Sequence, residues 1–176
     1  MDVATLDALP DDAFRVAAAP WFEGAPRFLV RLAAARPFGD ERRLFERAAA
    51  IALAMPEGEQ LELIDAHPRL GAPPATVSAD SFREQGYDRE TTQAIAELGR
   101  LNAEYEAHFG FRFCVFVAGR PRSALVPVLR GALAADRDSE IRRALRDVVA
   151  IAHDRFEHAA AAAPAPARAA AVKGAR

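Results

Sequence analysis

A single cysteine, Cys114, stands in 176 residues, so no internal disulfide can form and a cysteine-built zinc site is excluded. There is no basic excess: 23 Lys and Arg face 25 Asp and Glu, for a net charge of −2. That balance argues against a nucleic-acid surface and against an anionic membrane partner. No apolar run is long and uncharged enough to span a bilayer. The opening "MDVATLDALPDD" is acidic and shows no basic segment followed by an apolar one, so no signal peptide is visible and a reducing cytoplasm is the expected compartment. Internal repeats, a Gly-rich phosphate loop and a nucleophile elbow are all missing. Histidine is scarce as well, with four in the chain. His153 and His158 are five apart, which is not the i, i+4 spacing of a helical metal pair, so no metal site is expected.

What remains is 51% hydrophobic and 27% charged, the balance of a soluble globular domain. Its length suits one domain with a sizeable core. The hydrophobic pattern is helical almost throughout. "DDAFRVAAAP" reads as a short helix with an acidic start. "APRFLVRLAAARPF" opens on Pro26 and places Phe28, Leu29, Leu32 and Ala33 on one face. "GDERRLFERAAAIALAMP" has Asp40 as a candidate N-cap and a stripe of Leu44, Phe45, Ala48, Ile51 and Ala52. "EGEQLELIDAH" follows, then a Pro- and Gly-rich loop over 68–78. A long helix over about 88–108 carries Ile95, Leu98, Leu101, Asn102 and Tyr105. "FGFRFCVFVAGR" is the only strand-like run, and one strand cannot make a sheet. Its backbone groups need other partners, of which a ligand is one. A helix capped by Ser123 and one over about 138–162 complete the pattern. The prediction is an all-α, compact, irregular bundle of roughly seven to nine helices over residues 1–162. One short extended segment lies near 111–117. Residues 163–176, rich in Ala and Pro, are expected to be a disordered tail.

Three polar residues fit this pattern poorly. His67 precedes Pro68, which pushes it out of the helical region at a helix end. It is either a capping histidine or a proton-exchanging group. Glu84 completes Ser81-x-x-Glu84, the spacing of a capping box, but Gln85-Gly86 follow and leave little helix to cap. Arg155 falls at the edge of the apolar arc of Ile141, Leu145, Val148, Val149, Ala152 and Phe156. Arg142, Arg143, Arg146, Asp147, His153 and Asp154 lie on the opposite side of that helix. A guanidinium so placed either snorkels to the surface or meets an acceptor in the core. Cys114, within the strand-like run, reads as packing.

In order along the chain, "HPRLG", "SFREQ", "FGFRFCVFV" and "IAHDRF" resemble the motifs of the decarboxylases of 2-oxo-4-hydroxy-4-carboxy-5-ureidoimidazoline (OHCU). "APWFEGAPRFLVRLAAARPF" and "LNAEYEAHFGF" resemble further segments of that family, and the similarity spans about residues 10–158. The resemblance implies a cofactor-free helical enzyme, often a homodimer, that forms (S)-allantoin and CO2 in urate degradation. It assigns catalysis to His67 and Glu84 and substrate holding to Arg155. It assigns substrate contacts to Pro68, to Ser81, Phe82, Arg83 and Gln85, and to the backbone of Phe113, Cys114, Val115, Phe116 and Val117. Two departures stand out: the loop between the first two motifs is short and Pro-rich, and Arg112 stands where a proline is common. The competing expectation is a non-catalytic helical adaptor or small-ligand binder of the same fold, against which the presence of all three polar residues argues.

Overall fold

The structure, a computed structural model, describes residues 1–71 and 92–162. Among these residues there are eight helices and no strand. They are α1 (Val3–Asp7), α2 (Asp11–Ala18), α3 (Pro26–Ala34), α4 (Glu41–Ala54), α5 (Glu57–Asp65), α6 (Thr92–Phe109), α7 (Arg122–Ala132) and α8 (Arg137–Ala162). No described helix is long and apolar enough to cross a membrane. The calls on Ser81 to Gln85, Glu84 among them, and on the 163–176 tail lie outside the described residues.

Local chemistry explains most of the boundaries. Pro26 occupies the first turn of α3, where a missing N–H costs nothing. The Asp40 carboxylate accepts from Arg43 N at 2.8 Å and caps α4 as its sequence position implies. Asp2 does the same for the short α1, an element the opening sequence did not announce, through Thr5 N at 2.8 Å. Asp136 accepts from Ser139 N at 2.9 Å and starts α8. Ser123 does not cap α7. Pro121 holds the cap position, no side chain bonds there, and Ser123 is already inside the helix. Pro127 sits within α7.

α8 is the spine. It packs on α4 and α5, while α6 lies along α7 and α2 along α3. All six residues of its predicted apolar arc are buried. α5 is fastened to α3 by Arg31 on Glu59 (2.7 and 3.1 Å) and by Arg27 N on Glu62 (3.2 Å). Leu63 and Ile64 are fully enclosed and fix the rotation of α5, which aims its C-terminal end inward. On the other side, Trp21 meets Phe156 edge-on at 5.1 Å and Phe156 meets Phe45 at 5.7 Å. This cluster seats the turn after α2 against α8.

The strand-like run forms no ladder. Residues 112–117 are neither helix nor strand, and α8 takes the place of a neighbouring strand. Arg143 Nη1 donates to the Cys114 carbonyl at 2.9 Å, and the Asp147 carboxylate accepts from the backbone of Phe116. Arg112 N donates to Asp65 Oδ1 at 2.8 Å. Arg143 and Asp147 therefore do not lie on a solvated face, as the helical wheel alone suggested. They join Glu140 and Tyr105 in a polar network beneath this segment. Tyr105 donates to Glu140 Oε2 at 2.9 Å, and Arg143 bonds both Glu140 and Asp147.

Candidate active site

α5 ends at Asp65, and His67 follows just beyond it, 3% exposed. The break at Pro68 turns the ring back onto its own helix. There Nδ1 lies 3.2 Å from the Leu63 carbonyl. A carbonyl only accepts, so Nδ1 carries the hydrogen and Nε2 keeps its lone pair. Nε2 is buried and has no hydrogen-bond partner among the described residues. Burial, then the positive charge of Arg155, hold the His67 pKa down to about 4, from an ordinary 6.5, while Glu23 and the Leu63 carbonyl push the other way. At neutral pH the ring is therefore an uncharged base with one bare nitrogen. The sequence suggested a histidine exchanging protons near neutrality. In the folded protein the burial of the ring moves that exchange to lower pH.

Arg155 comes from the middle of α8, and it does not snorkel. Its side chain is 4% exposed. Nη1 donates to the carbonyls of Pro20 (3.0 Å) and Trp21 (3.3 Å), and Nη2 donates to Glu23 Oε1 at 2.8 Å. The acceptor that a core-facing guanidinium requires is thus one turn, residues 20–23. The structure brings His67 and Arg155 together, and Glu23 with them. Glu23 had not been singled out from the sequence. The available signal was its position in "PWFEG", a lone carboxylate between buried aromatics and a glycine, with no solvated helix face to explain it.

The extended segment borders the same region. Arg112 has a structural task. Its Nη1 donates to the carbonyls of Asp65 (2.7 Å) and His67 (3.1 Å), tying the loop that carries His67 to the segment. Arg112 bonds the end of α5 and His67, Cys114 and Phe116 bond α8, and the Phe116 carbonyl also accepts from Arg120 at 2.6 Å. Among the described residues, the backbones of Phe113 and Val115 have no hydrogen-bond partner. One edge of the segment is therefore tied down and the other presents N–H and C=O groups. Pro68 adjoins His67, and Cys114 is buried.

A metal would find few donors. Among the described residues, one set could converge on an ion: Glu41, His153 and Glu157. His153 is there already bonded to Glu41 at 2.7 Å and stacked on Phe45. The three lie on the outer faces of α4 and α8, apart from His67.

The family model for OHCU decarboxylase matches residues 7–157. The chain is 35% identical over 138 residues to the uric acid degradation bifunctional protein PucL of Bacillus subtilis, covering 77% of this chain and 28% of that one. It thus spans little more than a quarter of that relative's length. It is 30% identical over 140 residues to the mouse 2-oxo-4-hydroxy-4-carboxy-5-ureidoimidazoline decarboxylase, covering 76% of this chain and 79% of the relative. Among solved structures, an OHCU decarboxylase crystallised with (S)-allantoin superposes with a TM-score of 0.65 at 20% identity, over 77% of this chain and 92% of that one. An (S)-allantoin synthase superposes with a TM-score of 0.67 at 20% identity, over 90% and 54%. At that identity the two superpositions speak for the fold.

Proposed function

Because the chain belongs to the OHCU decarboxylase family, we propose that it decarboxylates 2-oxo-4-hydroxy-4-carboxy-5-ureidoimidazoline to (S)-allantoin and CO2 in urate degradation. The observation that carries this reading is the bare, buried Nε2 of His67 beside the Arg155–Glu23 pair.

The substrate holds a carboxylate and a hydroxyl on one ring carbon. The neighbouring carbon, doubly bonded to nitrogen, bears the ureido group. When the carbon–carboxylate bond breaks, CO2 leaves and its electron pair moves into that C=N system. The substrate supplies its own electron sink, so the protein has only to orient, to stabilise and to move protons. His67 accepts the hydroxyl proton at Nε2 as the ring C=O forms. A proton returned to one face of the ureido-bearing carbon gives a single enantiomer. The sum is substrate anion plus one proton going to allantoin plus CO2. A neutral, unpartnered imidazole suits the first of these transfers, and a substrate hydroxyl would satisfy the orphaned nitrogen.

Arg155 supplies a fixed positive charge for an anionic substrate in a water-poor site. Glu84, with Ser81 to Gln85, orients His67 or binds ureido N–H groups. The unbonded backbone edge at Phe113 and Val115 has the donors and acceptors to read the ring amides, and Pro68 closes the site beside the imidazole. The working protein is a cytoplasmic homodimer without metal or other cofactor.

The test is direct. Purified protein is added to freshly oxidised urate, with and without EDTA, and the circular dichroism of the allantoin is followed. Accelerated decay of the intermediate to one enantiomer, unaffected by EDTA, is expected. Racemic allantoin at the uncatalysed rate would overturn the assignment.

A further inference from the structure

We propose that Glu23 is a positioning residue of this site: its carboxylate holds the Arg155 guanidinium and offsets its charge at His67. The proposal rests on the reading of His67 as the proton-transfer group.

Geometry comes first. Arg155 Nη2 meets Glu23 Oε1 at 2.8 Å, with the two side chains 4% and 15% exposed. Two further acceptors for the same guanidinium come from the carbonyls of Pro20 and Trp21. One short turn thus supplies three acceptors, and only Glu23 supplies charge.

The backbone gives a second, independent indication. Glu23 has φ +49°, the left-handed region, followed by Gly24 at +75°. A β-carbon is disfavoured there, and glycine or asparagine would serve the turn with less strain. The chain nevertheless keeps a glutamate, whose side chain points at Arg155. Strain held at a residue with a specific polar partner is a mark of function.

The charges of the described residues that flank His67 bear on what Glu23 does. From α8 comes Arg155, and from the turn after α2 comes Glu23. From α5 comes Asp65, whose carboxylate is taken by the Arg112 backbone. From the extended segment comes Arg112, whose guanidinium lies on the Asp65 and His67 carbonyls. From α6 comes Glu106, paired with Arg69. Of these, Arg155 and Glu23 are the two whose charge acts on the imidazole, in opposite directions. Without Glu23 the guanidinium would make His67 a weaker base and grip an anionic substrate more tightly in the ground state. Both changes oppose turnover.

Glu23→Gln isolates the charge, because the amide oxygen still accepts from Arg155. In the folded variant the His67 ring, followed by NMR and assigned with His67→Asn, should titrate at lower pH than in the wild type. Single-charge removal at this range should lower KM by about 3- to 10-fold while kcat also falls. Glu23→Asp, which keeps the charge, should restore both toward wild type. A purely turn-bracing glutamate would change the melting temperature and leave the His67 titration where it was, and that result overturns the proposal. Should Glu23→Gln alone not fold, the same comparison is made on an Arg155→Gln background, where two amides can pair. Equal His67 titration with and without Glu23 there overturns it equally. The NMR titration needs no substrate. A wild type that fails to turn over would therefore sink the decarboxylase assignment and leave this measurement standing.

Discussion

At the scale of the residue, His67 joins a structural role to the one that the proposed function gives it. Nδ1 closes the end of α5 on the Leu63 carbonyl, and Nε2 is left for chemistry. Capping and the proposed proton transfer thus use two ends of one ring. His67→Asn should lower kcat by a factor of about 10² or more, the usual worth of a positioned acid–base group. Near wild-type turnover in a folded variant would return His67 to a purely structural role. The ring also has a signature in stability. With a folded pKa of about 4 against an ordinary 6.5, the unfolded chain takes up the proton first as the pH falls. Stability from this group is complete above about pH 6.5 and is lost between there and pH 4, by on the order of 3 kcal/mol. Urea unfolding at pH 7 and at pH 4.5 should therefore show a larger loss in wild type than in His67→Asn. Equal losses would mean that the ring is not held neutral by burial.

At the scale of the element, α8 acts on the site from two faces. Arg155 enters it directly. Twelve to fifteen residues earlier, Glu140 and Arg143 carry the floor under the extended segment, with Arg143 Nη1 on the Cys114 carbonyl and its guanidinium 4.8 Å from the Phe113 ring. Glu140 is buried, and Arg143 and Tyr105 are its partners. Burial, then the negative charge of Glu140 beside it, push the Tyr105 hydroxyl above its ordinary range, so it stays a donor. Removing the cation leaves a buried carboxylate uncompensated. Arg143→Met should cost about 3–5 kcal/mol. The double variant Glu140→Gln/Arg143→Met should recover part of that loss in urea melts. In both, KM should rise, because the backbone edge at Phe113 and Val115 loses its support. No recovery in the double variant would show that the cost lies in packing of the Arg143 stem.

At the scale of the whole molecule, the described site has no local owner. Its parts come from residues 20–23, from 67, from 112–116 and from 155, and no two of these neighbour each other in sequence. Loss of any one packing layer should therefore disperse them all. In a urea titration, decarboxylase activity and far-UV helicity should fall with one midpoint. An activity midpoint well below the helical one would place part of the site on a separately melting unit.

Helix positions, the Asp40 cap, the α8 core face and the oddity of His67 and Arg155 were legible in the sequence. Each depends on neighbours within a turn or two: period-3.6 apolar spacing, a capping oxygen, a proline that bars the helical region. Family membership was legible for a related reason, since ordered short motifs survive as text. The Glu23–Arg155 pair was not, because its members lie 132 residues apart and nothing local in "WFEG" names a distant cation. Nor was the inward turn of Arg143, which a helical wheel sets among exposed charges and which Glu140, Asp147 and the Cys114 carbonyl draw beneath the segment. The tautomer and the depressed pKa of His67 likewise came from tertiary packing. Desolvation is a property of everything that surrounds a group, and an amino-acid sequence specifies that only after the chain has folded.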